Sequence, residues 1–357
     1  VNLTLFGYPK TGKTTLFNLI SGARVEVHAY EDGKREPNQR TCSIPDTRLD
    51  RIAALSPDKK KIAASFELID LAGESYGEVK NSLYLSALRK ADGLIHVVRG
   101  FRDPRIPHPK GIIRPQDDIH YMEEELMLTD LISASARLEK LDKDLKKAKD
   151  PEGEKERALL NTVRTGLEQG KPLRDLSLPP AEEKAVRSFA FLSLKPLVHM
   201  INCDEQDIPL LETPEKILSG KTTGSPVLAF CGRIEAEIAE LPEEEKATFQ
   251  AEYGFRELSR ERFFRELPGV LGMISFFTIG KNETRAWMVP RDAPAGQAAG
   301  AIHTDIERGF IRAEVISWNK LLELGSLQAA KEKGLIRLEG KEYPVQDGDV
   351  IYFRFTA

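Results

Sequence analysis

The chain has 357 residues, 41% hydrophobic and 30% charged, with a formal net charge of -4. That is enough for two or three domains with real cores, and it is not a polycation, so any nucleic-acid contact has to come from a local patch. Cys42, Cys203 and Cys231 lie far apart with no CxxC spacing, which argues against a disulfide framework or a cysteine zinc site; with no long apolar run and no signal-peptide pattern, the expectation is a cytoplasmic protein without membrane contact that need be no more than a monomer.

In chain order, short apolar runs alternate with helical patterns up to about residue 110 and again from about 190 to 270. "LTLFG", "FELID", "LIHVVR", "LVHMIN" and "PVLAFC" read as buried parallel strands bounded by loop residues, and the alternation predicts an open α/β sheet. Residues 118–187 between the two blocks are strand-poor and charge-rich. Leu131, Leu138, Leu141, Leu145 and Ala148 recur at helical spacing, "DPEG" at 150–153 breaks the pattern, and Leu159, Leu160, Val163 and Leu167 resume it. Two antiparallel helices projecting as an insertion would bury these stripes against each other. From about 276 the chain carries "RAWMVP", "AEVI", "LIRLEG", "KEYPV" and "DVIYFRF" as strand signals and one helix near 303–309. The reading is a discontinuous α/β domain over 1–117 and 188–275, a helical coiled-coil insertion over 118–187, and a small α+β domain over 276–357.

The chemistry is concentrated in the two α/β blocks. Gly7 to Thr14, GYPKTGKT, fits G-x-x-x-x-G-K-[ST] between a strand and a helix. Its glycines let backbone N–H groups turn onto phosphate oxygens, the helix adds its positive end, Lys13 reaches the β- and γ-phosphates and the Thr14 hydroxyl ligates Mg²⁺. Lys10, Thr11, Gly12 and Thr15 complete the cradle. "FELIDLAG" ends a strand at Asp70, which would hold the Mg²⁺ through a water, and the Gly73 N–H would sense the γ-phosphate. "LVHMINCDE" ends at Asn202-Cys203-Asp204-Glu205, where GTP-binding proteins carry N-K-x-D and the Asp takes two hydrogen bonds from guanine. Glu205 stands at the fourth position, and its extra methylene displaces the carboxylate from that geometry, so ATP is at least as plausible as GTP. Cys231-Gly232 closes a strand where a base-supporting loop would lie. Cys203 and Cys231 both flank this pocket; either thiol modification there blocks nucleotide binding, or both are inert small residues. Lysines 140, 143, 146, 147 and 149 form a basic edge on the insertion, read as a solvated helix face or as an RNA phosphate contact.

The combination resembles the YchF subfamily of Obg-type P-loop proteins, the Obg-like ATPases, over nearly the whole chain. The similarity rests on the P-loop with Pro9, "EPN" at 36–38, "PDTRLD" at 45–50, "DLAG" at 70–73, "HVVR" at 96–99 and "LKPLVHMINCDE" at 194–205. The C-terminal "QAAGAIHTDIERGFIRAEVI" and "LEGKEYPVQDGDVIYFRF" look like that family's TGS domain, a ubiquitin-like β-grasp module. The resemblance implies a P-loop G domain with a coiled-coil insertion, ATP preferred over GTP, slow hydrolysis, and association with ribosomes or RNA. Four positions depart from the family pattern. Lys34 replaces the Thr of T-I-E-P-N that completes the Mg²⁺ shell, with Thr41 a distant substitute. Glu74 replaces the hydrophobic residue after D-x-A-G; as a carboxylate it would orient water and also repel the γ-phosphate. Lys10 replaces an Asn and would supply a tethered ammonium against the phosphates, which makes Lys10, Lys13 and Glu74 the candidate catalytic residues. Thr14 replaces Ser without loss of the hydroxyl. Rival readings are an adaptor that binds nucleotide without turnover and a true GTPase.

Overall fold

β1 (Asn2–Phe6) opens the chain as an almost wholly buried strand, and α1 (Lys13–Ser21) follows it after a six-residue loop. The computed structural model describes residues 1–26, 37–71, 82–218, 220 and 224–356. Next come β2 (Asn38–Ser43), α2 (Thr47–Ala53), β3 (Lys60–Ile62), β4 (Ser65–Asp70), α3 (Ser82–Lys90) and β5 (Gly93–Arg99). The helical pair is α4 (Pro115–Leu145) and α5 (Pro151–Glu168), followed by α6 (Pro180–Arg187). β6 (Leu197–Asn202), β7 (Val227–Phe230), α7 (Gly232–Glu240), α8 (Glu243–Glu252) and α9 (Ser259–Val270) lead into the C-terminal part. That part holds β8 (Met273–Ile279), β9 (Glu283–Pro290), α10 (Ala295–Ile302), α11 (Thr304–Arg308), β10 (Phe310–Ser317), α12 (Trp318–Leu324), α13 (Leu327–Glu332), β11 (Arg337–Glu339) and β12 (Asp349–Phe355).

The chain divides into two compact units, residues 1–40 with 67–261, and residues 41–66 with 262–357. The first is built on a sheet of order β2-β4-β1-β5-β6-β7. β1 runs parallel to β4 and β5, β5 to β6, and β6 to β7. β5 and β6 are buried along their whole length, which is why their sequences read as continuous apolar runs rather than alternating ones. Because the strands are parallel, the loops that follow β1, β4, β6 and β7 emerge at one carboxyl edge, where open α/β sheets bind their ligands.

α4 and α5 form the expected helical pair. Leu138, Leu159, Leu160, Val163 and Leu167 are buried in one apolar cluster with Ala134, and an Arg137–Glu156 ion pair of 2.6 Å joins the two helices. The break falls at 146–150, because the Asp150 side chain caps α5 by accepting from Glu152 N–H and Pro151 supplies the first helical residue. Leu131 and Leu145 are half-buried, and Ala148 is exposed beyond the end of α4.

In the second unit the sheet has the order β11-β10-β12-β8-β9-β3. β10 is antiparallel to β11 and β12, β12 is parallel to β8, and β8 is antiparallel to β9. β8 spans the expected junction at 275/276. α10 packs Ala295, Ala298 and Ala299 against Phe276, Val289, Val315, Ile351 and Phe353. "KEYPV" makes no strand, only an isolated bridge between Pro294 and Pro344, and the stretch expected to hold one helix near 303–309 is preceded by α10 and followed by α12 and α13. Among the described residues no helix is long and apolar enough to cross a membrane.

Candidate nucleotide site

The loop from Gly7 to Gly12 turns on three left-handed residues, Gly7 at φ 134°, Lys10 at φ 60° and Gly12 at φ 100°. Both glycines are also required by space: a Cβ on Gly7 would lie 2.5 Å from the Val97 carbonyl oxygen, and one on Gly12 would lie 2.3 Å from Asn202 Nδ2. Lys10 adopts a conformation in which Asn is enriched and other non-glycine residues are uncommon, a local strain of the kind found at binding loops. Thr11 Oγ1 donates to the Tyr8 carbonyl at 3.1 Å. The Lys13 ammonium is buried and donates to the carbonyls of Tyr8 at 2.7 Å and Gly7 at 3.3 Å.

Thr14, in the first turn of α1, donates its hydroxyl to Asp70 Oδ2 at 2.7 Å, and Asn38 Nδ2 donates to the same oxygen at 3.1 Å. Among the described residues, Asp70 Oδ1 is buried with no hydrogen-bond partner. A buried, unpaired carboxylate oxygen is costly unless something meets it. The local donor set is all oxygen, a carboxylate and a hydroxyl whose lone pairs are free when its hydrogen points at Asp70, and this suits a hard divalent cation such as Mg²⁺. Asn38 belongs to the "EPN" segment, but its hold on Asp70 was not legible, because nothing in the sequence says that the edge strand brings it beside the end of β4.

On the other side of the loop, Asn202 is the hub. Its Nδ2 donates to the Thr11 carbonyl at 3.1 Å, and its Oδ1 accepts from Gly232 N–H at 3.0 Å. The buried asparagine therefore ties the phosphate loop to the turn between β7 and α7. Gly232 is needed there, since a Cβ would lie 2.9 Å from Asn202 Oδ1. Glu235 braces the turn, accepting from Cys231 N–H at 3.1 Å and from Ser259 N–H at 2.7 Å. Asp204 is engaged by Arg102 N–H at 3.0 Å, whereas Glu205 is exposed.

A cleft of about 2360 Å³ opens between these elements, lined by Lys10, Gly12, Thr15, Asn202, Glu205, Cys231 and Gly232 among others. That exceeds the ~300–1,000 Å³ of most small-molecule sites, so a nucleotide would fill only part of it. Thr11, Lys13 and Thr14 are not part of this lining but neighbour its residues in sequence, and Asp70 is linked to them through Thr14. Gly73, Glu74 and Lys34 lie outside the described residues, as does Glu36. Cys203 and Cys231 are 2% and 1% exposed. Burial pushes the Cys203 thiol well up and that of Cys231 up to about 11, which disfavours the reactive thiolate and favours the second of the two readings of these thiols.

Comparison with known proteins places this geometry in context. The family model MMR_HSR1, "50S ribosome-binding GTPase", matches residues 2–147, and YchF-GTPase_C, described as a protein of unknown function, matches residues 273–356. The chain is 37% identical over 361 residues to the ribosome-binding ATPase YchF of Bacillus subtilis, covering 99% of this chain and 98% of that protein. It is 38% identical over 360 residues to the Haemophilus influenzae protein of the same name, with 99% and 98% covered. Obg-like ATPase 1 of Oryza sativa is 32% identical over 369 residues, with 100% of this chain and 92% of that one covered. Among solved structures, the Schizosaccharomyces pombe YchF GTPase matches with a TM-score of 0.83 at 25% identity, covering 99% of this chain and 97% of that one.

Proposed function

Because the chain belongs to the YchF family, we propose that it is a P-loop switch protein that binds and slowly hydrolyses ATP, takes GTP less well, and acts in contact with the ribosome or another RNA–protein assembly. The observation that carries the nucleotide reading is the double hydrogen bond of Asn202, which joins the phosphate loop at Thr11 to the proposed base-side turn at Gly232. Lys13 would exchange its two loop carbonyls for β- and γ-phosphate oxygens, while the backbone N–H groups from Thr11 to Thr15 meet the remaining phosphate charge. Thr14 and Asp70 would hold Mg²⁺, which when bound neutralises charge on the phosphates. Lys10, half-buried at the cleft, would bring its ammonium against the same oxygens, with Gly73 and Glu74 as the γ-phosphate sensor and water-facing residue.

Asn202 and Glu205 would frame the base above the Cys231–Gly232 turn. The longer side chain of Glu205 supports weak selection of guanine, hence the preference for ATP. The ribosomal partner is supported by the names of the relatives, several of which are called ribosome-binding. The exposed lysines 140, 143, 146, 147 and 149 at the end of α4 are candidates for RNA phosphate contact, although Lys147 also pairs with Asp144 at 3.1 Å.

Calorimetric titration of ATP and of GTP in the presence of Mg²⁺, followed by phosphate-release assays on whichever binds, tests the reading. Tighter ATP binding with slow release is the expected result. Tighter GTP binding overturns the base assignment, and binding with no release at all would make the protein a nucleotide-binding adaptor.

A further inference from the structure

Beneath the phosphate loop runs a chain of buried polar side chains that the nucleotide site itself does not use. His96 on β5 and His199 on β6 are register partners in neighbouring strands and are 1% and 0% exposed. Their Nδ1 atoms are 3.0 Å apart. His199 Nε2 lies 3.1 Å from Glu123 Oε1 on α4, and Glu123 Oε2 is paired with the Arg174 guanidinium. Ser225 Oγ accepts from Arg174 Nε at 3.1 Å and donates to Glu123 Oε1 at 3.1 Å. Arg174 sits in the short helical turn Leu173–Asp175 beyond α5 and also donates to the Ser193 carbonyl at 3.2 Å.

The other end of this chain reaches the loop. The His96 ring stacks on Phe6, with centroids 5.0 Å apart. Its Cδ2 edge faces Gly7 so closely that a Cβ there would lie 3.2 Å away. Gly7 and Tyr8 are the residues whose carbonyls hold Lys13.

The hydrogen-bond partners fix one direction through the whole series. A carboxylate accepts only, so His199 carries its proton on Nε2 and presents a lone pair at Nδ1. Only one hydrogen fits between the two Nδ1 atoms, and His96 therefore donates it. Burial lowers both rings from the ordinary imidazole range, His96 well below it, which agrees with the neutral rings that this hydrogen-bond pattern demands. Each ring is oriented by the next group outward, and the last anchor is an ion pair at the root of the helical hairpin. An apolar filling would avoid the cost of desolvating these groups; what the polar series supplies is a fixed orientation for the ring that fills the space where a Gly7 side chain would stand.

We propose that Arg174, Glu123, His199 and His96 are positioning residues that couple the root of the α4–α5 hairpin to the phosphate loop through the His96 ring, which is stacked on Phe6 and stands where a side chain on Gly7 would be. The proposal rests on the nucleotide reading of that loop. A displacement at the hairpin root would rotate the His96 ring and shift Gly7, and nucleotide binding at the loop would be felt at the hairpin in return, since such coupling is reciprocal.

The test uses the full chain and two readouts. Imidazole ¹⁵N spectra with and without a non-hydrolysable ATP analogue report the rings directly. Nucleotide-dependent shifts at both His96 and His199 are expected; silence at both, or a change confined to His96, overturns the relay. Calorimetry of the same analogue on Arg174→Met, which removes the far anchor without touching the loop, is expected to show affinity weakened by about 5-fold, within the range seen for coupling through packed networks. Arg174→Lys, which keeps a cation for Glu123, should recover part of the loss. Unchanged affinity in Arg174→Met alongside a lowered unfolding temperature would reduce the series to a structural role and overturn the proposal. If Arg174→Met does not fold, the wild-type spectra decide. A wild-type chain that binds neither ATP nor GTP refutes the nucleotide reading and the relay with it, whereas binding with silent rings refutes only the relay.

Discussion

Gly12 and Asn202 approach so closely that no side chain fits between them: a Cβ on Gly12, itself at φ 100°, would lie 2.3 Å from Asn202 Nδ2. The closeness exists because that amide donates to the carbonyl of Thr11, the residue just before the glycine. Gly12→Ala therefore faces both a clash and a left-handed backbone. It should abolish measurable nucleotide binding by calorimetry while leaving a cooperative unfolding transition. Asn202→Ala unties the loop from the Gly232 turn and leaves a buried N–H without its acceptor, a loss of about 1–3 kcal/mol. Nucleotide affinity near wild type in Asn202→Ala would show that the tie is dispensable.

The two buried histidines predict the acid limb of stability. Both have folded-state pKa values lowered from the ordinary 6.5, chiefly by burial. For His96 the neighbouring His199 and Lys13 add to the lowering, and Glu123 opposes it. For His199, Glu123 opposes the lowering and Arg174 adds to it. A group with a depressed folded pKa binds its proton more readily in the unfolded chain. Its contribution is thus complete above pH ~6.5 and is lost as pH falls from there towards the folded value. Each histidine adds a slope of up to about 1.4 kcal/mol per pH unit in that window. Urea unfolding between pH 7 and 5 should show this slope, and His199→Gln should lose part of it. Equal slopes in the two proteins would mean that the imidazoles are charged in the folded chain.

In the helical hairpin, packing and ion pairing give different expectations. Leu160 is 0% exposed in the apolar cluster, so Leu160→Ala should cost about 2–5 kcal/mol. Arg137 and Glu156 make a two-pronged contact at 2.6 and 2.8 Å, but their side chains are 40% and 26% exposed. Arg137→Ala should therefore cost no more than about 1 kcal/mol, and less at high salt. Chemical denaturation of the two variants separates the terms; a larger loss from Arg137→Ala would make the ion pair the principal clamp.

The three thiols should be silent in the folded chain. Cys42, Cys203 and Cys231 are 4%, 2% and 1% exposed, and for Cys203 and Cys231 burial also raises the thiol pKa, which leaves little thiolate to react. A colorimetric disulfide reagent at pH 8 should label them only after denaturant is added. Prompt native labelling that also weakens nucleotide binding would restore the view of Cys203 and Cys231 as a modification site.

What could be read in advance follows the strength of the local signal. β5 and β6 are buried along their whole length because neighbours cover them on both faces, and a parallel sheet leaves that mark in sequence as a near-continuous apolar run; β4 alternates buried with less buried positions, and its apolar residues were enough to mark it as a strand. The hairpin was legible from its leucine spacing, and its turn was displaced by a few residues because Asp150 caps rather than breaks. α10, with the sequence AGQAAGAI, carries small residues that signal neither period. The grouping of residues 41–66 with the C-terminal chain depends on contacts distant in sequence. The loop residues of the candidate site were legible because phosphate binding imposes glycines and a lysine at fixed spacing. Asn38, His96 and His199 were not, because a polar residue at a strand end or inside an apolar run has no local pattern, only a partner brought from elsewhere by the sheet.

The most direct test of the account is Mg²⁺-dependent phosphate release from ATP by the wild-type chain and by Lys13→Ala, each first shown to be folded. The account predicts slow release by the wild type, dependent on Mg²⁺, and loss of both release and tight ATP binding in the variant, because Lys13, the buried cation held by the loop carbonyls, is the residue proposed to meet the phosphates. Release or affinity that survives Lys13→Ala unchanged would contradict it.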